Sequence, residues 1–185
     1  MSELPKGPDP AAVTVDPGAT AVLVLDISDA TQGIPAVKET IAPVAKLLER
    51  ARKAGARVVF SLGRAAEQKL LPELGAQPDE PIVRTSADKF FNTDLADHLK
   101  GMQYAIVVGT AANGAVVYTS LGCNARGITV VVPVDGIGSR EAISTDVARF
   151  QLLDQPGFQN KANEPLKAKT VTLSRTDLIT FGKGV

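Results

Sequence analysis

Residues 104–126 constrain the fold more than any other stretch of this sequence. They read YAIVVGTAANGAVVYTSLGCNAR: an apolar run is broken at Gly109, and helix-like spacing resumes near Asn113. This order predicts a buried strand, a tight loop and the start of a helix. In open α/β sheets, ligands bind beyond the carboxyl ends of the strands, and free N–H groups at a helix start favour anions. We therefore expect the functional site at this loop.

The composition favours one domain whose partner is a small molecule or another protein. A chain of 185 residues is long enough for one substantial core and too short to favour two. Its 20 basic and 20 acidic residues cancel, which gives no electrostatic signature of binding to nucleic acid or an anionic membrane. No apolar run approaches the length of a membrane span, and the N-terminus lacks the pattern of a signal peptide. We expect a cytoplasmic protein without a cofactor.

The single Cys123 and the single His98 exclude several kinds of site. One cysteine cannot form an intrachain disulfide or a multi-cysteine metal site, and one histidine cannot form a histidine cage for zinc. We therefore expect no metal. Cys123 is typical of a small buried core residue, and His98 lies in a charged segment typical of a surface helix.

Strand-like and helix-like segments alternate along the chain. Residues 1–18 carry four prolines and predict an extended arm, whereas residues 19–185 predict a single domain. Apolar runs predict strands at residues 19–25, 57–62, 82–84, 104–108, 128–134 and 170–173. Helical spacing predicts helices at residues 36–54, 93–101, from 113 onward, 139–153 and 176–181. Gly55 is expected to end the first helix in a left-handed conformation, and Thr93 and Ser139 are N-cap candidates. Such alternation indicates a three-layer α/β/α domain with a mainly parallel sheet of about six strands.

Polar residues follow several of the predicted strands. Asp26 follows the first, Arg84 is the last residue of the third, and Asp135 follows the fifth. Because the carboxyl ends of parallel strands share one edge of the sheet, these side chains can line one crevice together with the loop before the central helix. In that loop, Gly114 permits close backbone approach, and the amide of Asn113 can donate and accept hydrogen bonds.

The order of these segments resembles the isochorismatase-like hydrolase superfamily, which includes nicotinamidases, other cysteine hydrolases and isochorismatases. The resemblance covers nearly the whole chain from Ala19. Its segments are AVLVLDISDA, LLERARKAGARVVF, FFNTDLADHL, VVGTAANGAVVYTS and ITVVVPVDGIGS. The first resembles the strand that carries the catalytic aspartate, and the fourth resembles the strand and helix start that carry the nucleophile. The resemblance implies the isochorismatase-like α/β fold, a hydrolase activity and a homo-oligomer.

The catalytic residues of the superfamily carry over only in part. Asp26 stands at the aspartate position. Counting from Gly109 places Ala115 where the cysteine hydrolases have their nucleophile, so the thiol is absent. Counting back from the FFNT segment places Arg84 at the lysine position, and a small shift in the loop would let Lys89 substitute for it. A guanidinium keeps the positive charge but does not readily exchange a proton.

Three functions remain open at this point. The first is a hydrolase that needs no thiol, as the resemblance to isochorismatases implies, with Asp26 as acid/base and Arg84 or Lys89 binding a substrate carboxylate. The second is a cysteine amidohydrolase whose nucleophile has been changed to alanine at Ala115, with Arg84 as a second departure. The third is a noncatalytic protein that binds a small ligand or another protein through the same crevice.

The candidate ligand contacts are the same for all three functions. Asn113, Gly114 and Ala115 would contact a substrate from the turn, and Phe90 would contribute either to the apolar wall of the pocket or to the core. Cys123 does not replace the missing thiol, because eight helical residues displace it from Ala115 by about 12 Å along the helix axis.

Overall fold

A parallel sheet forms the centre of the molecule, for which the computed structural model describes residues 7–183. The described residues form the strands β1 (Val13–Val15), β2 (Thr20–Leu25), β3 (Arg57–Leu62), β4 (Ile82–Arg84), β5 (Tyr104–Gly109), β6 (Thr129–Pro133), β7 (Val171–Ser174) and β8 (Ile179–Phe181). Six of these strands form the sheet, in the order β4-β3-β2-β5-β6-β7, and each neighbouring pair is parallel. The predicted parallel sheet of about six strands is confirmed.

Helices cover both faces of this sheet. They are α1 (Pro35–Ala54), α2 (Leu95–His98), α3 (Val117–Ala125) and α4 (Ala142–Leu153). Helix α1 ends at Gly55, which has a φ of 85° and donates its N–H to the carbonyls of Ala51 and Arg52. Glycine adopts this left-handed conformation without steric cost, as the sequence predicted. Within residues 7–183, no helix is both long and apolar enough to cross a bilayer.

The strands at the centre of the sheet are buried on both faces. Leu23 and Leu25 of β2 pack in one core together with side chains of α3 and α4. Val22 and Val24, which point to the opposite face, pack in a second core together with side chains of α1. Because successive side chains of a strand point to opposite faces, one apolar run serves both cores. This arrangement is the predicted three-layer α/β/α architecture.

The described part of the N-terminal arm is hydrogen-bonded to the domain. β1 pairs in parallel with β8, outside the main sheet. The N–H of Ala11 donates to the carbonyl of Leu173, and the side-chain amide of Asn163 donates to the carbonyl of Asp9. The arm predicted for residues 1–18 therefore lies along the domain from residue 7 onward, and its first six residues lie outside the described part.

Three predicted helices differ from the structure. The helix predicted at residues 176–181 is a 3₁₀ turn (Thr176–Leu178) followed by β8, because β1 supplies a pairing partner there. Helix α4 begins at Ala142 rather than at Ser139, whose hydroxyl group is engaged by the backbone N–H of Ala112. The helix predicted at residues 93–101 contracts to the four residues of α2.

The approach of β5 to β2 at the carboxyl edge of the sheet requires a glycine. Gly109 has a φ of 124°, and a Cβ atom there would lie 1.9 Å from the carbonyl oxygen of Leu25. Gly101 offers a contrast, because it has a φ of 81° with no atom within 4 Å of its notional Cβ. An alanine at Gly101 would therefore suffer backbone strain alone, whereas an alanine at Gly109 would also collide with neighbouring atoms.

We expect Gly109→Ala to destabilise the protein far more than Gly101→Ala. The second substitution costs about 1–2 kcal/mol, because only the left-handed backbone is strained. The first should cost at least twice as much, since its methyl group also collides with the backbone of Leu25. Urea unfolding followed by circular dichroism measures both losses. Equal losses would contradict the close contact between β5 and β2.

Candidate functional site

An ion pair between Asp26 and Lys89 lies at the carboxyl edge of the sheet. The Nζ atom of Lys89 is 2.7 Å from Oδ2 and 2.9 Å from Oδ1 of Asp26, and the hydroxyl of Ser61 donates to Oδ1 at 3.2 Å. The lysine side chain is 1% exposed and the aspartate side chain 21% exposed. A buried ammonium group is stable only when a counter-charge and hydrogen bonds replace its water. Asp26 therefore makes the burial of Lys89 possible.

The end of β2 sets the position of Asp26. Its backbone N–H donates to the carbonyl of Ser61 at 3.1 Å, and Ser61 lies opposite Leu25 in the pairing of β2 with β3. Asp26 has a φ of 54°, a left-handed conformation that aspartate tolerates better than most residues. The chain turns sharply here, and the carboxylate lies at the end of a strand near the middle of the sheet.

The loop between β4 and α2 brings Lys89 into the interior. The carboxylate of Asp88 accepts the N–H of Phe90, and the hydroxyl of Thr93 donates to the carbonyl of Lys89. The same hydroxyl oxygen accepts the N–H of Leu95 at 3.3 Å, close to the capping role predicted for Thr93. These local hydrogen bonds fold the segment into a compact turn from which the lysine side chain reaches Asp26.

Arg84 is not part of the ion pair. Its guanidinium group donates from Nη1 to the carbonyl of Ala65 at 2.9 Å and from Nη2 to the carbonyl of Gln68 at 3.0 Å. The residue is exposed and holds the long loop that precedes β4. Counting along the sequence placed Arg84 at the lysine position of the superfamily, but the structure brings Lys89 to Asp26 instead.

The loop after β5 forms a single π-helical turn, Ala112–Val116, which leads into α3. The N–H of Thr110 donates to the carbonyl of Leu25, so the turn starts beside the end of β2. Ala115 is 3% exposed, Gly114 is partly exposed and Asn113 is exposed. A Cβ atom on Gly114 would meet only ordinary contacts, so packing within the chain does not require glycine there.

Ser139 fixes the shape of this turn, a role that the sequence analysis missed. Its hydroxyl oxygen accepts the N–H of Ala112 at 2.9 Å, and its hydroxyl group donates to Oδ1 of Asn113 at 3.0 Å. Because Ser139 engages the side-chain oxygen Oδ1 of Asn113, the side-chain NH₂ group of Asn113 is the part that can bind a ligand, as a hydrogen-bond donor. The predicted N-cap at Ser139 pointed to the residue but assigned the wrong partner.

Two other predicted crevice residues have structural contacts. The ring of Phe90 packs against α3, where a Cβ atom on Gly122 would lie 2.6 Å from it, and the guanidinium carbon of Arg126 lies 3.8 Å from the ring centroid. Asp135 was expected to line the crevice, but its carboxylate accepts the N–H and the hydroxyl of Thr176 at 2.8 and 2.7 Å. Asp135 therefore holds the segment after β7.

Other potential sites are separate from the ion pair. Within residues 7–183, no group of three or more His, Cys, Asp or Glu side chains is arranged to hold a metal ion. The imidazole of His98 is paired with Asp94 at 3.2 Å. A cavity of about 760 Å³ lies at the amino edge of the sheet, where Thr20 and Arg57 begin β2 and β3. It is thus at the opposite end of the strands from Asp26.

Comparison with known proteins identifies the family. Three of the solved structures that share the fold illustrate this. A cysteine hydrolase from Pseudomonas syringae pv. phaseolicola is 21% identical with a TM-score of 0.73, and the match covers 91% of this chain and 94% of that chain. An isochorismatase family protein from Burkholderia thailandensis is 20% identical with a TM-score of 0.71 (91% of this chain, 97% of that chain), and an N-carbamoylsarcosine amidase from Thermoplasma acidophilum is 17% identical with a TM-score of 0.69 (85% of this chain, 96% of that chain). Comparison with curated protein sequences gives no match. The family model of the isochorismatase domain matches residues 11–157. The chain belongs to the isochorismatase family, and the resemblance inferred from its sequence is confirmed.

The two members of the ion pair should contribute unequally to stability. Asp26→Asn leaves the fully buried ammonium group of Lys89 without a counter-charge, and we expect it to lower the free energy of unfolding by about 3 kcal/mol. Lys89→Met should cost less, because the carboxylate of Asp26 is partly exposed and can be hydrated. Urea unfolding measures both.

A matched control for this comparison is Lys100→Met. It removes an exposed ion pair with Asp97 and should leave the unfolding midpoint unchanged. Equal losses for Asp26→Asn and Lys89→Met would show that the difference in burial between the two side chains has no energetic consequence, and would contradict this account.

Cys123 should be inert in the folded protein. Burial raises the pKa of its thiol to about 12, so at pH 8 only about one molecule in ten thousand carries the reactive thiolate. We expect no alkylation by iodoacetamide in the native state and complete alkylation in guanidinium chloride, as measured by intact mass. Native and unfolded protein reacting at the same rate would refute the burial of this residue.

Proposed function

We propose that this protein is an isochorismatase-like hydrolase of small molecules that works without a cysteine nucleophile, with Asp26 as its acid/base group. The observation that carries this proposal is the carboxylate of Asp26, which is held by Lys89 and Ser61 and is still 21% exposed. It lies at the edge of the sheet where open α/β domains bind ligands. A carboxylate that is both fixed and accessible is suited to proton transfer.

Hydrolysis by this site requires only water as the nucleophile. For a vinyl ether such as isochorismate, the carboxyl form of Asp26 donates its proton to the alkene carbon. Water then adds to the resulting oxocarbenium ion and gives up a proton to the carboxylate of Asp26, and the hemiketal separates into a ketone and an alcohol. The ammonium group of Lys89 stabilises the negative charge that Asp26 carries after it has donated its proton, since this group is excluded from solvent and its charge is therefore weakly screened. Ala115, which counting places at the nucleophile position, supplies only a methyl group and takes no part in bond formation.

The turn at Ala112–Val116 supplies the contacts proposed for the substrate. Asn113 offers its N–H donor to a carbonyl or carboxylate oxygen, Gly114 lets the substrate approach the backbone, and Ala115 lies against it. Phe90 is proposed as an apolar wall of the pocket. The proposal includes a cytoplasmic location and no cofactor. It also includes a small-molecule partner rather than nucleic acid or a membrane, because the chain has no net charge that would favour either of these.

Lys89 favours a second candidate, a cysteine amidohydrolase that lacks only its thiol. If Arg84 stood at the lysine position, this candidate would need two changes. The pairing of Lys89 with Asp26 supports the alternative that Lys89 serves as the cation, and on that alternative Ala115 is the single departure. The structural relatives include an amidase and a cysteine hydrolase, which share this fold.

A paired activity screen separates these candidates. The unmodified protein and an Ala115→Cys variant are incubated with isochorismate, nicotinamide-like compounds and other small amides, and the products are measured by mass spectrometry. Thiol-free hydrolysis predicts turnover of isochorismate by the unmodified protein, with a loss of at least a hundredfold in kcat for Asp26→Asn, since general acid/base catalysis contributes about 10²–10⁴-fold. Arg84→Gln is the matched control and should retain the activity.

The other outcomes of this screen are equally definite. Amide hydrolysis that appears only in the Ala115→Cys variant supports the amidohydrolase and contradicts thiol-free hydrolysis. Because Cys123 is buried, an alkylation signal in the native variant reports the introduced thiol alone. If neither protein turns over any compound while thermal shift shows that the unmodified chain binds one of them, a noncatalytic ligand-binding function replaces both.

A further inference from the structure

The cavity at the amino edge of the sheet takes no part in the proposed hydrolysis. It has a volume of about 760 Å³ and is bounded by the starts of β2 and β3, the C-terminal end of α1, the segment before β4 and the residues around the end of α2. Sites for small ligands have volumes of roughly 300–1,000 Å³. Asp26 and the Ala112–Val116 turn lie at the other end of the strands, so a ligand in this cavity does not touch them.

An ion pair fixes one wall of the cavity. Arg52, in the last turn of α1, donates from Nε to Oε1 of Glu80 at 2.7 Å and from Nη2 to Oε2 at 2.9 Å. The backbone N–H of Gln77 donates to the same carboxylate at 2.8 Å. The side chains of Arg52 and Glu80 are only 23% and 10% exposed. A two-point contact between arginine and carboxylate has a defined geometry, so this wall is formed without a ligand, and its two charges cancel.

Two other charged side chains of the lining do not neutralise each other. Arg57 is exposed and donates from Nη1 to the carbonyl of His98, which leaves its other N–H groups for a ligand. Asp79 is also exposed, and its carboxylate makes no hydrogen bond or ion pair with any side chain or backbone group of residues 7–183. Although both residues line the cavity, they do not pair with each other. The cavity therefore presents one cation and one anion that lie apart.

We propose that this cavity is a second ligand site, which binds a free α-amino acid with an apolar side chain. The carboxylate of the amino acid pairs with the remaining N–H groups of Arg57, and its ammonium group pairs with the carboxylate of Asp79. A zwitterion satisfies both charges at once, whereas a simple anion or cation leaves one of them unpaired. Pro81 and Met102, which are partly exposed in the lining, provide apolar contacts for the side chain of the amino acid.

The neighbouring polar groups are compatible with this orientation. The hydroxyl of Thr20 donates to the carbonyl of Asp16 at 2.6 Å, so its oxygen is left as an acceptor, which suits an ammonium group. The carbonyl of His98 restrains the guanidinium group of Arg57, which lowers the entropy that this side chain loses on binding. Because both charged contacts are close to solvent, we expect weak binding, with a dissociation constant in the submillimolar to millimolar range.

Titration of isotope-labelled protein with L-leucine, followed by heteronuclear NMR, tests this site. Leucine should shift the signals of Gly55, Gln77 and the side-chain Nε–H of Arg57, and the titration curve gives the dissociation constant. Leucinamide lacks the carboxylate and 4-methylpentanoate lacks the ammonium group, while both keep the apolar part. Each should bind at least about tenfold more weakly than leucine, because each loses one charge-assisted contact.

Two substitutions assign these contacts. Arg57→Gln should weaken the binding of leucine to the level of leucinamide and leave the binding of leucinamide unchanged. Asp79→Asn should weaken the binding of leucine to the level of 4-methylpentanoate without weakening the latter. The matched control is Arg140→Gln, which changes an exposed arginine next to Ser139 and should bind leucine like the unmodified chain. Since all three residues are exposed, spectra of the variants without ligand should match that of the unmodified chain and so confirm the fold.

Three results would overturn the proposal. The first is the absence of binding when leucine, valine and phenylalanine are each added to tens of millimolar. The second is equal affinity for leucine and leucinamide, or an affinity for leucine that Arg57→Gln and Asp79→Asn leave unchanged. The third is a set of shifted signals around Asp26 instead of the amino edge, which would place the amino acid in the candidate active site. The hydrolase proposal is tested separately, because the cavity shares no residue with the proposed active site.

Discussion

The burial of the ammonium group of Lys89 is the constraint on which the candidate site depends. An ammonium group inside a protein needs a carboxylate within hydrogen-bond distance, and Asp26 provides both of its oxygens. Asp26 can do so because β2 ends there between β3 and β5, with Ser61 of β3 as a further donor. Sheet order, strand length and loop folding thus converge on one ion pair at the end of a strand.

Most of the sheet could be predicted because parallel strands have a local sequence signature. β3 and β4 have the predicted bounds, and β2 differs from its prediction by one residue, since strands covered on both faces read as apolar runs. β1 and β8 were missed for the opposite reason. They are three residues long, and their pairing joins side chains as distant as Thr14 and Thr180, which are 166 residues apart. Nothing in either segment alone indicates its partner.

The candidate site was predictable as far as it follows from strand ends. Asp26 and the turn at Ala112–Val116 come directly after strands, so sheet topology alone brings them to one edge. Lys89 was weighed only as a substitute for Arg84, because counting along the chain assumes that a loop keeps its path, and hydrogen bonds of Asp88 and Thr93 give this loop a compact turn. Ser61 could have been found from the pairing of β2 with β3, which sets it opposite Leu25.

The energetics of the ion pair between Asp26 and Lys89 help to distinguish a functional role of this pair from a role in stabilising the fold. A buried ion pair can often be replaced by apolar side chains of similar volume without loss of stability, so the fold itself does not require Asp26 and Lys89. Asp26 also has a left-handed backbone, which glycine would adopt at lower cost. A partly exposed carboxylate, a buried cation and a strained backbone at the ligand-binding edge of the sheet are three features that weaken or fail to strengthen the fold. The proposed transfer of a proton to and from a bound small molecule gives one reason for all three, with Ala115 at the position that counting along the sequence assigns to the nucleophile.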